Sequence, residues 1–338
     1  MKSLGGKMKI SVLAKPVMVG SGALLIAMFA GAFGTVRGMG QDAEHGRITR
    51  RALGCESVTP PAACLEPDTL DSLAGSPGDF GAVGAPDRGR GMLTSHAHCS
   101  GGDYFAIPNY PQSRAEAEAT LTECRDYMLG NLRQAVIDAA DLLDDDNDIR
   151  SSQIPGFIPC IYAGQEHGRA KCNVLAHLGR ILHAGQDFYS HSNWVDEADP
   201  TRPIGPDNPP GLGQTGRSPW LDLQVATPDF PDGLISGCFD TESFLGEERG
   251  CVYDDSGAHR VRHLDLNKDT GQIDPAIGVG TTHRGRHSDN FERAVSAAID
   301  DSAYHWRSFQ SLLVAEYGQE RADLMICAIR RDDPGDDC

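Results

Sequence analysis

His183-Ala184-Gly185-Gln186-Asp187-Phe188-Tyr189-Ser190-His191-Ser192-Asn193-Trp194 is the stretch whose reading decides the fold. It sets His183, Asp187 and His191 at i, i+4 and i+8. On a helix of about 3.6 residues per turn each step of four advances only about 40°, so the three share one face. Val174, Leu175, Leu178, Ile181, Leu182 and Phe188 make the same segment largely apolar, which predicts a buried helix. Burying ionisable groups without partners is costly. Three metal-ligating residue types on one buried stripe therefore point to metal rather than to a surface helix that happens to carry two histidines.

Eight residues at about 1.5 Å rise put His183 and His191 roughly 12 Å apart along the axis. A zinc–nitrogen bond is only about 2.0–2.1 Å long. One ion cannot take both histidines from a straight helix. Two or more ions can, with Asp187 between them offering two oxygens. Paired ions are a device for displacement at phosphorus, because they hold both the attacking and the leaving oxygens.

The first 32 residues carry Lys2, Lys7, Lys9 and Lys15 and no acid. An apolar run from about Pro16 to Phe29 follows, then Ala30-Gly31-Ala32. This is the order of a secretory signal, so residues 1–32 are expected to be a signal peptide and the mature protein to be secreted or extracytoplasmic. The apolar run is short for a membrane span. All ten cysteines lie beyond it, and an even number in an exported chain reads as a disulfide framework. Spacing does not fix connectivity, but 55/64, 160/172, 238/251 and 327/338 are close enough to suggest sequential pairing. The chain holds no C-x-x-C pair of the kind that thiolate zinc sites use. Removing four of the 30 basic residues with the signal leaves 26 against 48 acidic ones, a formal charge of −22. That disfavours tight binding to nucleic acid, which needs basic patches.

Periodicity predicts helices at about Ala43–Leu53, Ser113–Leu143 (with a break at Gly130), Lys171–Trp194, Ser288–Tyr317 and Glu320–Ile329. Residues 56–110 and 195–282 are rich in Pro, Gly and Asp and read as irregular. The expected class is mainly α: a helical bundle with long irregular loops stapled by disulfides. The expected organisation is one metal-dependent domain over 33–338, interrupted by a loop insertion at about 195–282. Asp144-Asp145-Asp146-Asn147-Asp148 mimics a calcium loop, but the sixth and twelfth positions hold Ile149 and Pro155 instead of Gly and Glu. It reads as a solvated charge run.

Other ligands must come from elsewhere in the chain. His45 opens the first helix. His96 and His98 flank Ala97, with Asp103 close behind as a ligand or a base. Alternate residues share a face when extended, which would pair the two histidines. His283 and His287 precede the last long helix. His167, His177, His259, His263 and His305 read as structural or surface residues.

The stretch from His183 to Trp194 resembles the H-x-x-Q-D-F-Y-[AS]-H-S-N-W signature of Het-C-type proteins, named after a fungal heterokaryon-incompatibility protein. Asn267-Lys268-Asp269, followed by a helix with Ala294, Ala297 and Ala298, resembles that family's later pattern. Het-C proteins are similar to the zinc-dependent phospholipases C and single-strand nucleases. The resemblance implies an all-helical, phospholipase C-type bundle with up to three zinc ions. It implies one ligand from an early helix, where His45 with Ile48 and Ala52 is similar. It implies a His-x-x-x-Asp pair on a central helix, matched by His183 and Asp187, and later ligands for which His287 is the best match. The pattern differs in three places: His191 follows Asp187 by four residues where phospholipases have six, Phe291 stands four after His287 where they have Glu, and no Trp stands at a plausible cleavage site, where phospholipases use a free amino terminus as a ligand.

The expected ligand set is thus His45, His98, Asp103, His183, Asp187, His191 and His287, holding two or three zinc ions. Asp103 or Asp187 would orient or deprotonate the attacking water. The expected activity is that of a secreted phospholipase C, cleaving phospholipid head groups at a membrane surface, where Trp220 and Phe230 would touch lipid. A zinc-dependent nuclease or nucleotidase is the first alternative, with nucleic acid as the less favoured substrate. A non-enzymatic secreted protein with structural metal is the second.

Overall fold

A computed structural model describes residues 33–338 except 36, 39–40, 57–63, 89–90, 156–158, 163–167, 228, 241–248, 255 and 274–277. The signal segment and His167 lie outside the described residues. The fold is mainly α. In chain order the helices are α1 (Glu44–Leu53), α2 (Pro67–Ala74), α3 (Arg114–Ala139), α4 (Ala170–His191), the short α5 (His263–Leu266), α6 (Asn290–Tyr317), α7 (Gln319–Arg330) and the short α8 (Pro334–Asp337). The described residues also form two antiparallel two-stranded ribbons: β1 (Arg37–Gly38) with β2 (Gln41–Asp42), and β3 (Gly271–Ile273) with β4 (Gly278–Gly280).

Helix α4 lies inside the bundle, packed chiefly on α3 and α6 and also touching α1, α2 and α7. Every residue from Ile181 to His191 is buried. Two glycines allow this. A side chain at Gly179 would strike the backbone of Ala82 at 2.5 Å, and one at Gly185 would come within 2.9 Å of Asp301 on α6. Helix α3 starts where the sequence predicts, on a reciprocal cap in which Ser113 Oγ accepts from Glu116 N and Glu116 Oε2 accepts from Ser113 N. It runs unbroken through Gly130, which faces open solvent. Helix α2 was not expected: it lies in the Pro- and Gly-rich region, with Pro67 at its first turn.

All five disulfides pair neighbouring cysteines in sequence: 55–64, 99–124, 160–172, 238–251 and 327–338. Such a framework belongs to an oxidising environment. No helix among the described residues is long and apolar enough to cross a membrane. The Asp144–Asp148 run is a surface turn in which Asp144 Oδ1 accepts from the backbone of Asp146 and Asp148. Segment 195–282 has little regular structure, but it is not an appendage: its Trp220 is buried against Phe188 of α4 and meets Phe230 edge-on. Trp220 is a core residue rather than a lipid contact.

Candidate metal centre

Four groups of His and Asp side chains bring ligand atoms within 4.8 Å of one another among the described residues, and three of them adjoin α4. The first contains His45, His183 and Asp187. The second contains Asp87, His98 and His183. The third contains His191, His263 and Asp269. The stripe read from the sequence is thus the spine of the site, and other segments bring partners to each of its rungs.

Asp187 ties the first two groups together. Its Oδ1 lies 3.1 Å from His45 Nε2. Its Oδ2 lies 3.1 Å from His183 Nε2 and 2.9 Å from His98 Nδ1. Asp87 Oδ1 approaches the same two histidines at 3.5 and 3.8 Å. The other nitrogen of each histidine is occupied by a carbonyl oxygen. His45 Nδ1 donates to Gln186 Oε1 at 2.7 Å, His183 Nδ1 to Val83 O at 2.9 Å and His98 Nε2 to Gly91 O at 3.3 Å. Fixing the proton on that side aims the remaining lone pair of each ring at the carboxylate.

Lone pairs and carboxylate oxygens therefore converge with no proton assigned between them. His45 Nε2 and Asp187 Oδ1 are both buried without a hydrogen bond, although they are neighbours. Buried polar atoms are rarely left so. A cation held between them resolves the deficit, and the imidazole–carboxylate donor set suits zinc. Without a metal the charge must come from a proton. Burial pulls the His183 pKa down, but Asp187 and Asp87 outweigh it and raise it to about 9. Burial likewise opposes ionisation of Asp187, yet His183 and His45 hold it well below the ordinary carboxylate value.

The third group has a different electrostatic character. The rings of His191 and His263 lie 3.5 Å apart between centroids, and His191 Nε2 meets Asp269 Oδ1. Burial lowers both histidines to about 3, so they are neutral and ready to coordinate. Burial also raises Asp269 to about 7 against the pull of His263 and Ser190. Ser190 Oγ donates to Asp269 Oδ1 at 2.6 Å. Adjacent Lys268 is fully buried and donates to Ser192 O, Leu266 O and Asp196 Oδ2, which fixes this strand of chain against the end of α4. Phe239 stacks on His98 at 5.6 Å and meets His263 edge-on at 6.5 Å, so one aromatic ring touches histidines of both halves.

Of the expected ligands, His45, His98, His183, Asp187 and His191 stand in these groups. Two do not. Asp103 is buried under Arg260, whose Nε and Nη2 lie 2.9 and 2.5 Å from its two oxygens, and Tyr110 donates to it as well. Burial raises its carboxyl to about 6 against Arg260, and Arg260 and Tyr110 engage both its oxygens, away from the four groups. His287 faces Asp199 and His283 in the fourth group instead. His96 also leaves the site: Ser95–Ala97 is a 3-10 turn rather than extended, and the His96 ring packs on Tyr127. The residues that sequence reasoning missed are Asp87, His263 and Asp269. Asp87 stands in an irregular stretch with no periodic signal. Asp269 lay within the Asn267-Lys268-Asp269 pattern, which could have marked it.

Comparison with protein-family models, curated proteins and solved structures finds no match.

Proposed function

We propose that this protein is a secreted, zinc-dependent hydrolase of phosphoric esters, of the phospholipase C kind. The observation that carries the reading is Asp187, whose two oxygens face two different histidine sets on one buried helix. His45 and Asp187 would hold one ion; Asp87, His98, His183 and Asp187 a second; His191, His263 and Asp269 a third. When bound, such ions supply an activated water and neutralise charge on phosphoryl oxygens.

The chain's own contribution is geometric. Carbonyl groups of Gln186, Val83 and Gly91 orient three imidazoles before any ion arrives, which avoids reorganisation during the reaction. Asp87 is 16% exposed while the Asp187 and His183 side chains are fully buried, so substrate and water approach from the Asp87 edge. Phe239, half-buried beside His98, walls the same region. The acidic surface disfavours a polyanionic nucleic acid substrate over a zwitterionic lipid head group.

The test is release of phosphorylated head group from phosphatidylcholine vesicles, with chelator-treated and zinc-restored protein compared and single-stranded DNA run in parallel. Release that is lost with chelator and restored by zinc supports the proposal. Negligible release in every condition overturns it, and cleavage of DNA alone replaces it with the nuclease reading.

A further inference from the structure

The fourth group, Asp199, His283 and His287, lies outside the centre described above and has its own support. His287 Nε2 stands 3.4 Å and His283 Nε2 3.6 Å from Asp199 Oδ2. Donors around a tetrahedral ion with bonds of about 2.1 Å are spaced by roughly 3.4 Å, so these separations fit one ion. The other Asp199 oxygen is already engaged by Thr201 N at 2.9 Å and Thr201 Oγ1 at 2.7 Å. That leaves Oδ2 toward the two rings.

The three ligands are held from beneath by one buried hub. Arg284, between the two histidines in sequence, donates to Asn208 Oδ1, Asp196 Oδ2 and Pro209 O. Asn208 in turn clamps Asp199, accepting from its N–H at 3.0 Å and donating to its carbonyl at 3.0 Å. Asn290 joins the same parts again, bonding Glu197 N, Glu197 O and Arg284 O. The rings stand nearly perpendicular at 5.1 Å, and the His283 side chain is 65% exposed. One group opposes a cation: Arg202 Nη1 lies 3.3 Å from His283 Nε2, tied also to Asp207. Arg202 is at the surface and can swing away.

We propose that Asp199, His283 and His287 form an accessory surface site for a borderline transition-metal ion of the zinc class, separate from the α4 centre. Two imidazoles and a carboxylate make a three-ligand set with a place left for water. The site joins the two ends of the irregular segment 195–282, which carries His263 and Asp269. An ion there closes that segment as a removable staple beside the five covalent ones, and it fills after the buried groups because Arg202 must first be displaced.

The experiment titrates zinc into the full mature chain, counting bound ions by equilibrium dialysis and following the thermal midpoint. The variants are His283→Ala/His287→Ala and Arg202→Ala. Wild type is expected to bind one more ion per chain than the double variant, at higher free zinc, with a concentration-dependent rise in Tm that the double variant lacks. Arg202→Ala is expected to fill the site at lower zinc. Equal ion counts and equal rises in wild type and double variant overturn the proposal, as does unchanged zinc dependence in Arg202→Ala. Because no readout depends on hydrolysis, failure here and failure of the proposed activity are distinguishable.

Discussion

His45 Nε2 lies 3.1 Å from Asp187 Oδ1, and neither atom has a hydrogen bond. Two helices far apart in sequence thus meet at a pair of unsatisfied atoms, where a cation is the simplest partner. If so, Asp187 serves two ions and His45 one. Asp187→Asn should therefore cost more metal than His45→Ala: two equivalents of zinc against one, by elemental analysis of protein purified without chelator. Full occupancy in Asp187→Asn would refute the bridging role.

Gln186 holds the His45 ring through Nδ1 and is itself fixed by donating to Thr49 Oγ1 and Ser302 Oγ, each at 3.1 Å. Groups that orient a metal-bound imidazole typically matter by about 10–100-fold in affinity. Gln186→Leu should weaken zinc binding by that order for one ion while the rest stay tight. A chelator competition series reads this directly, and an unchanged curve would show that the ring orients itself.

Asp196 is fully buried and neutralises both Lys268 and Arg284. Removing the carboxylate leaves two buried cations without their partner, a change that typically costs about 3–5 kcal/mol. Asp196→Ala should lower the urea midpoint accordingly and loosen the Asp269 segment with it. A loss below about 1 kcal/mol would mean that the cations find other partners.

Lys171, fully buried on α4, donates to Arg331 O, and burial lowers its pKa to about 8 against nearby Asp332 and Glu66. The unfolded chain, with a pKa of 10.5, binds more protons between those values, so stability rises with pH there. The full contribution is present above pH 10.5 and is lost as pH falls to 8, on the order of 3 kcal/mol. Urea unfolding of wild type and Lys171→Met at both ends of that window should diverge in favour of wild type at high pH. Parallel profiles would contradict the assignment.

Phe33 is buried, its ring 5.9 Å from that of His45 and 6.3 Å from that of Phe291. The expected cleavage after Ala32 would make it the first residue of the mature chain. N-terminal sequencing of exported protein should then read Phe-Gly-Thr-Val, and any start beyond Phe33 would remove a ring that packs on His45.

What the sequence determined by itself was local. The helical period placed His183, Asp187 and His191 on one stripe, because 3.6 residues per turn is a property of the backbone and not of its surroundings. The apolar residues around them required that helix to be central. The spacing of the cysteines suggested their pairing, because a short loop brings its own ends together. The tertiary structure decided the rest. His45, Asp87, His98, His263 and Asp269 reach α4 from other segments: Asp87, His98 and Asp269 from turns or irregular stretches, and His263 from the single turn of α5, too short to show a period. Asp103 and His287 show the converse. Each has a residue type that the α4 centre needs, but the first is clamped by Arg260 and the second stands apart from α4, beside Asp199 and His283. Which carboxylate meets a histidine and which meets an arginine depends on the path of the chain between helices, and that path is set by packing and long-range hydrogen bonds rather than by any local pattern.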